Sequence, residues 1–213
     1  MFAIEMSGEP AVAGDRDTVG GRPVLPPDQP WPDCTCGERM VFFFQIDVPA
    51  EIPGCGGEHL SVFQCPVHND AAFGPSRLPE RYWETPVGGN TTAFWRILRH
   101  RGEDVAAPAA DAFLEPRRLV LRDAGPDDEW EFRVGGEPAW AQGEESFTCA
   151  CGAAMVFLVQ IPENFGFPKL PGAPRQPDTF DSNAYGLFLG NMVYLLVCPD
   201  RCDTAAAWPV NQN

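Results

Sequence analysis

Seven of the eight cysteines and one histidine form two sets whose spacing is typical of metal ligands. The first set is Cys34, Cys36, Cys65 and His68, and the second set is Cys149, Cys151, Cys198 and Cys202. Tetrahedral zinc takes four thiolate or imidazole ligands, usually as two close pairs that the fold brings together. A glycine, Gly37 or Gly152, follows each C-x-C pair and permits a tight turn. We therefore predict two Zn²⁺ ions, each held by four protein ligands. Such closed sites are structural, because no coordination position remains for a substrate.

The alternative is that these cysteines are reduced or disulfide-linked at packed positions, with His68 on the surface. A C-x-C pair is tighter than the usual spacing of zinc ligands, which weakens each set taken alone. However, the last ligand is His68 in one set and Cys202 in the other. Zinc accepts that exchange and a disulfide does not, so zinc is favoured. Cys55 lies outside the pattern, and we assign no role to His59 and His100.

The metal-type pattern belongs to a longer internal repeat. The segments Val19–Pro49 and Val134–Asn164 align without a gap at an offset of 115, and 12 of their 31 positions are identical. Each copy reads V-G-G-x-P and then C-x-C-G-x-x-M-V-F-x-x-Q-I. We predict a single compact domain over 1–213, built of two repeats at approximately 1–110 and 111–213. The fold class that we expect is α+β but predominantly β, with antiparallel sheets in two pseudo-symmetric, duplicated halves.

Apolar runs of strand length lead away from each C-x-C pair and must position it. Met40–Asp47 and Met155–Ile161 read as strands that are buried on both faces. Glu58–Gln64 reads as the strand that ends at the second ligand pair of the first set. For the second set, we expect a hairpin of Tyr185–Leu189 and Met192–Val197 about a Gly-Asn turn.

The rest of the chain carries weaker signals. Residues 1–33 are polar and rich in glycine and proline, so we expect a loop with at most one short strand. Three further strands are predicted at Thr91–Arg99, Arg117–Arg122 and Glu129–Val134. Gln45 and Gln160 occupy equivalent places in the two copies and are expected to satisfy backbone groups. A pair of ligand contacts is the alternative role for these two glutamines.

The composition limits the possible functions. The chain carries 30 acidic against 15 basic residues and a net charge of −15, which disfavours nucleic acid as a partner. The charge suits solubility, and it would also suit a basic protein partner. The first ten residues lack the basic and apolar regions of a targeting signal, and no apolar stretch is long enough to span a bilayer. We therefore expect no membrane association and a cytoplasmic protein, in which patterned cysteines bind metal more often than they form disulfides.

The repeated motif resembles that of the YwqG-like family of bacterial proteins of unknown function, and is distantly similar to the programmed cell death protein 2 domain. The matching residues are Gly20, Gly21, Pro23, Cys34, Cys36, Met40, Phe42, Gln45 and Cys65, with Gly135, Gly136, Pro138, Cys149, Cys151, Met155, Phe157, Gln160 and Cys198 in the second copy. The resemblance implies a duplicated, β-rich α+β fold. For the eukaryotic branch it also implies a dedicated chaperone that shields a basic ribosomal protein.

These observations favour a non-enzymatic, zinc-binding protein that acts in protein interaction, in a chaperone-like role for a basic client. No nucleophile elbow, phosphate-binding glycine loop or H-E-x-x-H motif is present. One alternative is a metal-dependent enzyme with one open zinc site, most plausibly the first, if His68 or Cys34 is not a ligand. Another alternative is an immunity-type partner of a basic toxin, and self-association is a third.

Overall fold

The computed structural model describes residues 1–102 and 104–213, and β-strands dominate it. The strands, in chain order, are Phe2–Pro10 (β1), Thr18–Val19 (β2), Val24–Leu25 (β3), Val41–Asp47 (β4), His59–Gln64 (β5), Trp95–His100 (β6), Val105–Ala106 (β7), Arg117–Asp123 (β8), Arg133–Val134 (β9), Val156–Ile161 (β10), Phe167–Pro168 (β11), Ala184–Tyr185 (β12), Met192–Val197 (β13) and Ala207–Gln212 (β14). Ten of them form one antiparallel sheet in the order β14-β13-β10-β9-β1-β8-β2-β4-β5-β6. The pairs β11–β12 and β3–β7 form two small sheets.

The apolar runs next to the cysteine pairs form strands in the core. All residues of β5 and β13 are buried, and in β4 only the last residue, Asp47, is partly exposed. Phe42, Phe43 and Phe44 are completely inaccessible to solvent and pack against other aromatic rings on both faces of the strand. This agrees with the predicted two-sided burial, because consecutive strand residues point to opposite faces of a sheet.

The strand order has the same sequence of pairings on either side of its centre. The central strands β1 and β8 pair with each other, and the series β2-β4-β5-β6 extends from β8 as β9-β10-β13-β14 extends from β1. Val19 pairs with Phe44, and Val134 pairs with Val159 at the corresponding place 115 residues later. The pairs β4–β5 and β10–β13 also carry a register shift at corresponding positions. It lies between Phe42 and Phe44 in the first pair and between Phe157 and Val159, 115 residues later, in the second.

The two ends of the sheet approach each other, so that the sheet is nearly closed. The indole rings of Trp95 in β6 and Trp208 in β14 lie 5.6 Å apart in an edge-to-face arrangement. The backbone N–H of Arg99 in β6 donates to the carbonyl of Thr204, 2.8 Å away and just before β14. These contacts bring the ends of the two halves of the chain together along one seam.

The prediction of a predominantly β fold is confirmed, whereas the α+β label is not. In the described part of the chain the only helical segments are two 3₁₀ turns, Pro126–Asp128 and Phe188–Gly190. The 21 glycines and 23 prolines account for this, since both residue types disfavour helix interiors. The described residues contain no helix with the length and apolar composition that a membrane crossing requires.

Two local predictions were wrong. The N-terminal residues are not a loop, because Phe2–Pro10 forms the nine-residue central strand β1. Tyr185–Leu189 and Met192–Val197 do not form a hairpin, since β12 pairs with β11 and the 3₁₀ turn precedes β13. Phe188 and Leu189 have φ values of 48° and 65°, which end any extended strand there. Of the other predicted strands, Glu129–Val134 is reduced to its last two residues, β9.

Candidate metal centres

A tight turn before β4 carries the first pair of thiols. The backbone N–H of Cys34 donates to the carbonyl of Glu38 at 2.8 Å, and the N–H of Gly37 donates back to the carbonyl of Cys34 at 2.9 Å. Gly37 has φ = 94°, a conformation that side chains disfavour. The turn therefore requires a glycine, and it places Cys34 and Cys36 on the same side of the loop.

The second pair of the first set follows the end of β5. The backbone N–H of Cys65 donates to the carbonyl of Phe94 at 2.7 Å, which fixes Cys65 beside the residue that directly precedes β6. The N–H of Val67 points at the sulfur of Cys65, 3.4 Å away, as the chain turns back towards His68. An amide directed at a thiolate stabilises its negative charge.

The four side chains of the first set converge. The Sγ atoms of Cys36 and Cys65 are 3.7 Å apart. The Nδ1 atom of His68 lies 3.8 Å from the Sγ of Cys34 and 3.4 Å from the Sγ of Cys65. One potential ligand atom from each of the four residues lies within 4.8 Å of every other. The structure thus groups the side chains that the sequence pattern assigned to one site.

The second set repeats this geometry with four cysteines. The N–H of Cys149 donates to the carbonyl of Ala153 at 2.9 Å, and Gly152, with φ = 100°, donates to the carbonyl of Cys149. Cys198 directly follows β13, and its N–H donates to the carbonyl of Ala206 at 2.9 Å. The closest sulfur pairs, Cys149 with Cys202 and Cys151 with Cys198, are each 3.5 Å apart. All four sulfurs lie within 4.8 Å of one another.

These separations fit a tetrahedral metal ion of the size of zinc. Zn–S bonds of about 2.3 Å and Zn–N bonds of about 2.0 Å, at tetrahedral angles, place two sulfurs about 3.8 Å apart and a sulfur and a nitrogen about 3.5 Å apart. The sulfur–sulfur contacts of 3.5 to 3.7 Å and the sulfur–nitrogen contacts of 3.4 and 3.8 Å match these values. They are much longer than a disulfide bond of about 2.05 Å, and all eight cysteines are free. Both donor sets can therefore hold a thiophilic metal ion.

The thiols within each set shift one another's pKa. A hydrogen bond from the Cys34 thiol lowers the pKa of Cys65, and the same contact raises the pKa of Cys34. In the second set, the N–H of Ala153 lowers the pKa of Cys151, while burial raises the pKa of Cys198. A divalent cation bound among the sulfurs would favour the ionised form of every thiol, because a coordinating thiol is deprotonated.

Each set has a buried and an exposed side. Cys34, Cys65, Cys149 and Cys198 are buried, whereas Cys36, Cys151 and Cys202 are exposed and His68 is half-buried. In both sets the first cysteine of the tight turn and the cysteine that follows the strand form the buried side. An ion held there would lie at the surface but would be anchored to the core of the sheet. Cys55 belongs to neither set and lies 3.6 Å from Arg99.

The two repeated glutamines act on the backbone, as predicted. The Oε1 atom of Gln45 accepts from the N–H of Val24 at 2.7 Å, and the Oε1 of Gln160 accepts from the N–H of Ala139, 115 residues further on, at 2.9 Å. The Nε2 of Gln45 also donates to the carbonyl of Asp15 at 2.8 Å. Both side chains are completely buried, so these bonds hold the loops that precede the two metal turns.

Sequence reasoning gave no role to two histidines that the fold brings together. His59 and His100 are paired in register on β5 and β6, with ring centroids 5.2 Å apart. The Nδ1 of His59 lies 2.8 Å from Asp47. Burial by itself would raise the pKa of Asp47, but the hydrogen bonds from His59 and Arg16 together outweigh it and lower the pKa to about 2. Only the pairing of the strands shows this cluster, because no short spacing in the sequence joins its members.

Comparison with known proteins adds no relative. No family model matches the chain, and a search of curated proteins gives no significant match. The resemblance to the YwqG-like family and to the programmed cell death protein 2 domain therefore stays a prediction. The function has to be argued from the two sites and from the surface.

Proposed function

We propose that this protein is a non-enzymatic, cytosolic protein-interaction module in which two structural zinc ions stabilise a β-rich fold. The observation that carries the proposal is the convergence of two separate four-ligand sets, each with the spacing of tetrahedral zinc. Four protein ligands complete the coordination of zinc and leave no position for water or substrate. Free cysteines throughout the chain suit a reducing compartment.

The proposed role of each ion is to tie the ends of neighbouring strands. The first set joins the turn that enters β4 to the segment that leaves β5, and β4 and β5 are paired. The second set joins the turn before β10 to the segment that follows its partner β13. Short strands with many turns lose much conformational entropy on folding, and metal coordination offsets part of that cost.

We also propose that the two halves arose by duplication of one zinc-binding unit. The twelve identities are accompanied by the same backbone hydrogen bonds 115 residues apart. Gly20 donates to the carbonyl of Phe43 as Gly135 donates to that of Leu158, and Met40 donates to Pro32 as Met155 does to the residue 115 positions after Pro32. Local geometry that recurs with the sequence motif supports a common origin better than either observation alone.

The partner that we propose is a basic protein, for which this chain acts as a chaperone-like binder. The net charge of −15 gives a field that attracts cationic partners and raises their rate of association. An immunity-type partner of a basic toxin has the same electrostatic requirements. A nucleic acid or an anionic membrane surface would be repelled by this charge.

The ratio of zinc to protein tests the metal part of the proposal. The chain is purified without chelator and without a metal-binding tag, and its metals are measured by plasma mass spectrometry. We expect about two zinc ions per chain, as four thiolate or imidazole ligands at each site predict. About one ion would restrict the structural role to the four-cysteine set, and no ion would contradict the proposal.

A second experiment tests the partner. Proteins captured from a cell extract by the metal-loaded chain are identified at low and at moderate salt, with an unrelated protein of equal net charge as bait for comparison. We expect the proteins that are captured by this chain, and not by the control bait, to have high isoelectric points and to be released as the salt concentration rises. A specific set with no excess of basic proteins would contradict a basic client and leave the zinc sites unaffected.

A metal-dependent enzyme is the alternative from another class. It would require His68, which is only half-buried, to leave the first metal open to water. Replacement of His68 by alanine separates the two functions. If the site is structural, His68→Ala lowers the affinity for the metal and the stability of the fold. If the site is open and catalytic, the same replacement leaves the metal bound and the fold intact.

A further inference from the structure

A cavity of about 310 Å³ lies at the seam where β6 approaches the loop before β14. Its wall contains three arginines. Arg99 lies in β6, Arg101 directly follows β6, and Arg201 lies in the loop 198–202 that carries two cysteines of the second set, here called the second ligand loop. Two carboxylates, Glu58 and Asp203, and the ring of His100 also line it. The volume is at the lower end of the range for small-molecule sites. No side chain of this cavity is a predicted metal ligand.

Arginines outnumber carboxylates at this cavity, whereas acidic residues outnumber basic ones in the chain as a whole. The single carboxylate of Glu58 accepts from Arg99 at 2.9 Å and from Arg201, and it lies 3.9 Å from the Nε of Arg101. Three arginines elsewhere are each shared by two acids, although Glu84 faces both Arg81 and Arg96. Arg16 faces Asp47 and Asp104, Arg118 faces Glu9 and Asp15, and Arg122 faces Glu5 and Asp128. Three guanidinium groups against the carboxylates of Glu58 and Asp203 leave an excess of one positive charge at the cavity, in a protein of net charge −15.

A buried donor at the cavity is not used by the described part of the protein. The side chain of Arg99 is 3% exposed, and its Nε has no hydrogen-bond partner among the described residues. The ring of His100 adds no further donor, because burial lowers its pKa and its Nδ1 lies 2.9 Å from Asp104, which leaves Nε2 as an acceptor. A buried donor without a partner costs about 1 to 3 kcal/mol. Such groups in the wall of a cavity indicate that an acceptor from outside the protein completes the arrangement.

We propose that this cavity is a binding site for a small oxyanion, carried by a phosphate or a carboxylate group. A guanidinium group is a planar fork that binds two oxygens of such an anion at once. Arg99 forms the buried wall of the site, while Arg101 and Arg201, which are 50% and 44% exposed, can close on the ligand from its mouth. The excess charge of the three arginines neutralises the ligand.

A purely structural role for the arginines is the competing explanation. Arg99 donates to the carbonyl of Cys198 at 2.7 Å, Arg201 to that of Gly54 at 2.6 Å, and Arg101 to that of Gly56. These bonds join the loop before β5 to the second ligand loop. They use only part of the donors, since each guanidinium group has five N–H bonds. They also leave the Nε of Arg99 without a partner.

The test is a titration of the ¹⁵N-labelled, metal-loaded protein with inorganic phosphate and, separately, with succinate. Sodium chloride holds the ionic strength constant, and the spectra follow the backbone amides around the cavity and the Nε–H groups of the arginines. We expect saturable shifts at the cavity. The matched variants are Arg101→Gln and Arg118→Gln, which remove the same charge from side chains that are 50% and 52% exposed.

We expect Arg101→Gln to weaken binding at least about tenfold, as the loss of a charge-assisted hydrogen bond requires. Arg118→Gln should leave the dissociation constant unchanged within a factor of two. Saturation by phosphate alone or by succinate alone would support the site and identify the group that it prefers. The absence of saturable shifts with both anions would overturn the proposal. Equal weakening by the two variants, in proteins whose spectra show an intact fold, would also overturn it.

Discussion

Replacement of Glu58 by glutamine removes the carboxylate that accepts hydrogen bonds from both Arg99 and Arg201. Glu58 and Arg99 are both almost completely buried, with side chains 2% and 3% exposed. Breaking a buried ion pair by removing one partner costs about 3 to 5 kcal/mol, because the other charge remains in a medium of low polarity. Glutamine keeps one acceptor oxygen, but its amide group then faces a guanidinium group, and two donors meet.

We expect Glu58→Gln to lower the free energy of unfolding by about 3 kcal/mol, the low end of that range, because Arg201 is half-exposed and water screens its charge. Urea unfolding of a domain of this size has a slope of about 3 kcal/mol per molar. The midpoint should therefore fall by about 1 M urea. The same variant should bind phosphate more tightly at the cavity, since it removes the charge that competes with the ligand for the arginines.

The assay is urea unfolding of zinc-loaded protein, followed by tryptophan fluorescence and by circular dichroism. The matched control is Glu9→Gln, which removes the same charge from a side chain that is 73% exposed and 3.2 Å from Arg118. A surface pair of this kind contributes less than about 1 kcal/mol. If the two variants shift the midpoint equally, Glu58 does not neutralise a buried cation, and the reasoning about the cavity fails with it.

Three further predictions concern the metal turns and the loops that precede them. Cys151→Ser should reduce bound zinc from about two ions per chain to about one, measured by metal analysis. Because Cys151 is exposed, a lower melting temperature would report the lost ion rather than lost packing, and Cys55→Ser should retain both ions. Gln45→Leu and Gln160→Leu should each lower the free energy of unfolding by about 2 to 4 kcal/mol, measured by urea unfolding, because each leaves buried backbone groups unpaired. A decrease of less than about 1 kcal/mol would contradict this. Gly37→Ala should weaken zinc binding at the first site in competition with a chelator, because Gly37 has φ = 94°, and unchanged affinity would show that the turn relaxes without cost.

The ligand sets could be predicted from the sequence because their geometry is mostly local. Each C-x-C pair sits in a turn of five residues, closed by hydrogen bonds between Cys34 and Glu38 and between Cys149 and Ala153. The second pairs follow strands whose apolar residues identify them, as in β5 before Cys65. An isolated C-x-C motif is weak evidence for a metal site, and the repetition of the whole pattern at one offset strengthens the assignment.

The parts that sequence reasoning missed depend on contacts between distant residues. β1 has an alternating and partly polar sequence, and it becomes a strand because β8 and β9 pair with its two edges. The predicted hairpin before Cys198 contained the right amino acids for strands. Of its first half only Tyr185 is in a strand, paired with Phe167 of β11, and the positive φ of Leu189 makes the turn before β13. Propensity describes a segment by itself, whereas strand pairing depends on the complete sheet.

The oxyanion cavity also depends on contacts between distant residues, and here those contacts create a candidate binding site. Glu58 is 41 residues from Arg99 and 143 residues from Arg201, so no spacing in the sequence joins them. They meet because the nearly closed sheet brings the end of the first half against the second ligand loop. That loop also holds Arg201, between Cys198 and Cys202, in a left-handed conformation with φ = 50°. Zinc at the second site would fix this loop and hence the third arginine of the cavity. Loss of zinc through Cys151→Ser should therefore weaken phosphate binding at the cavity, whereas loss of the first ion should not.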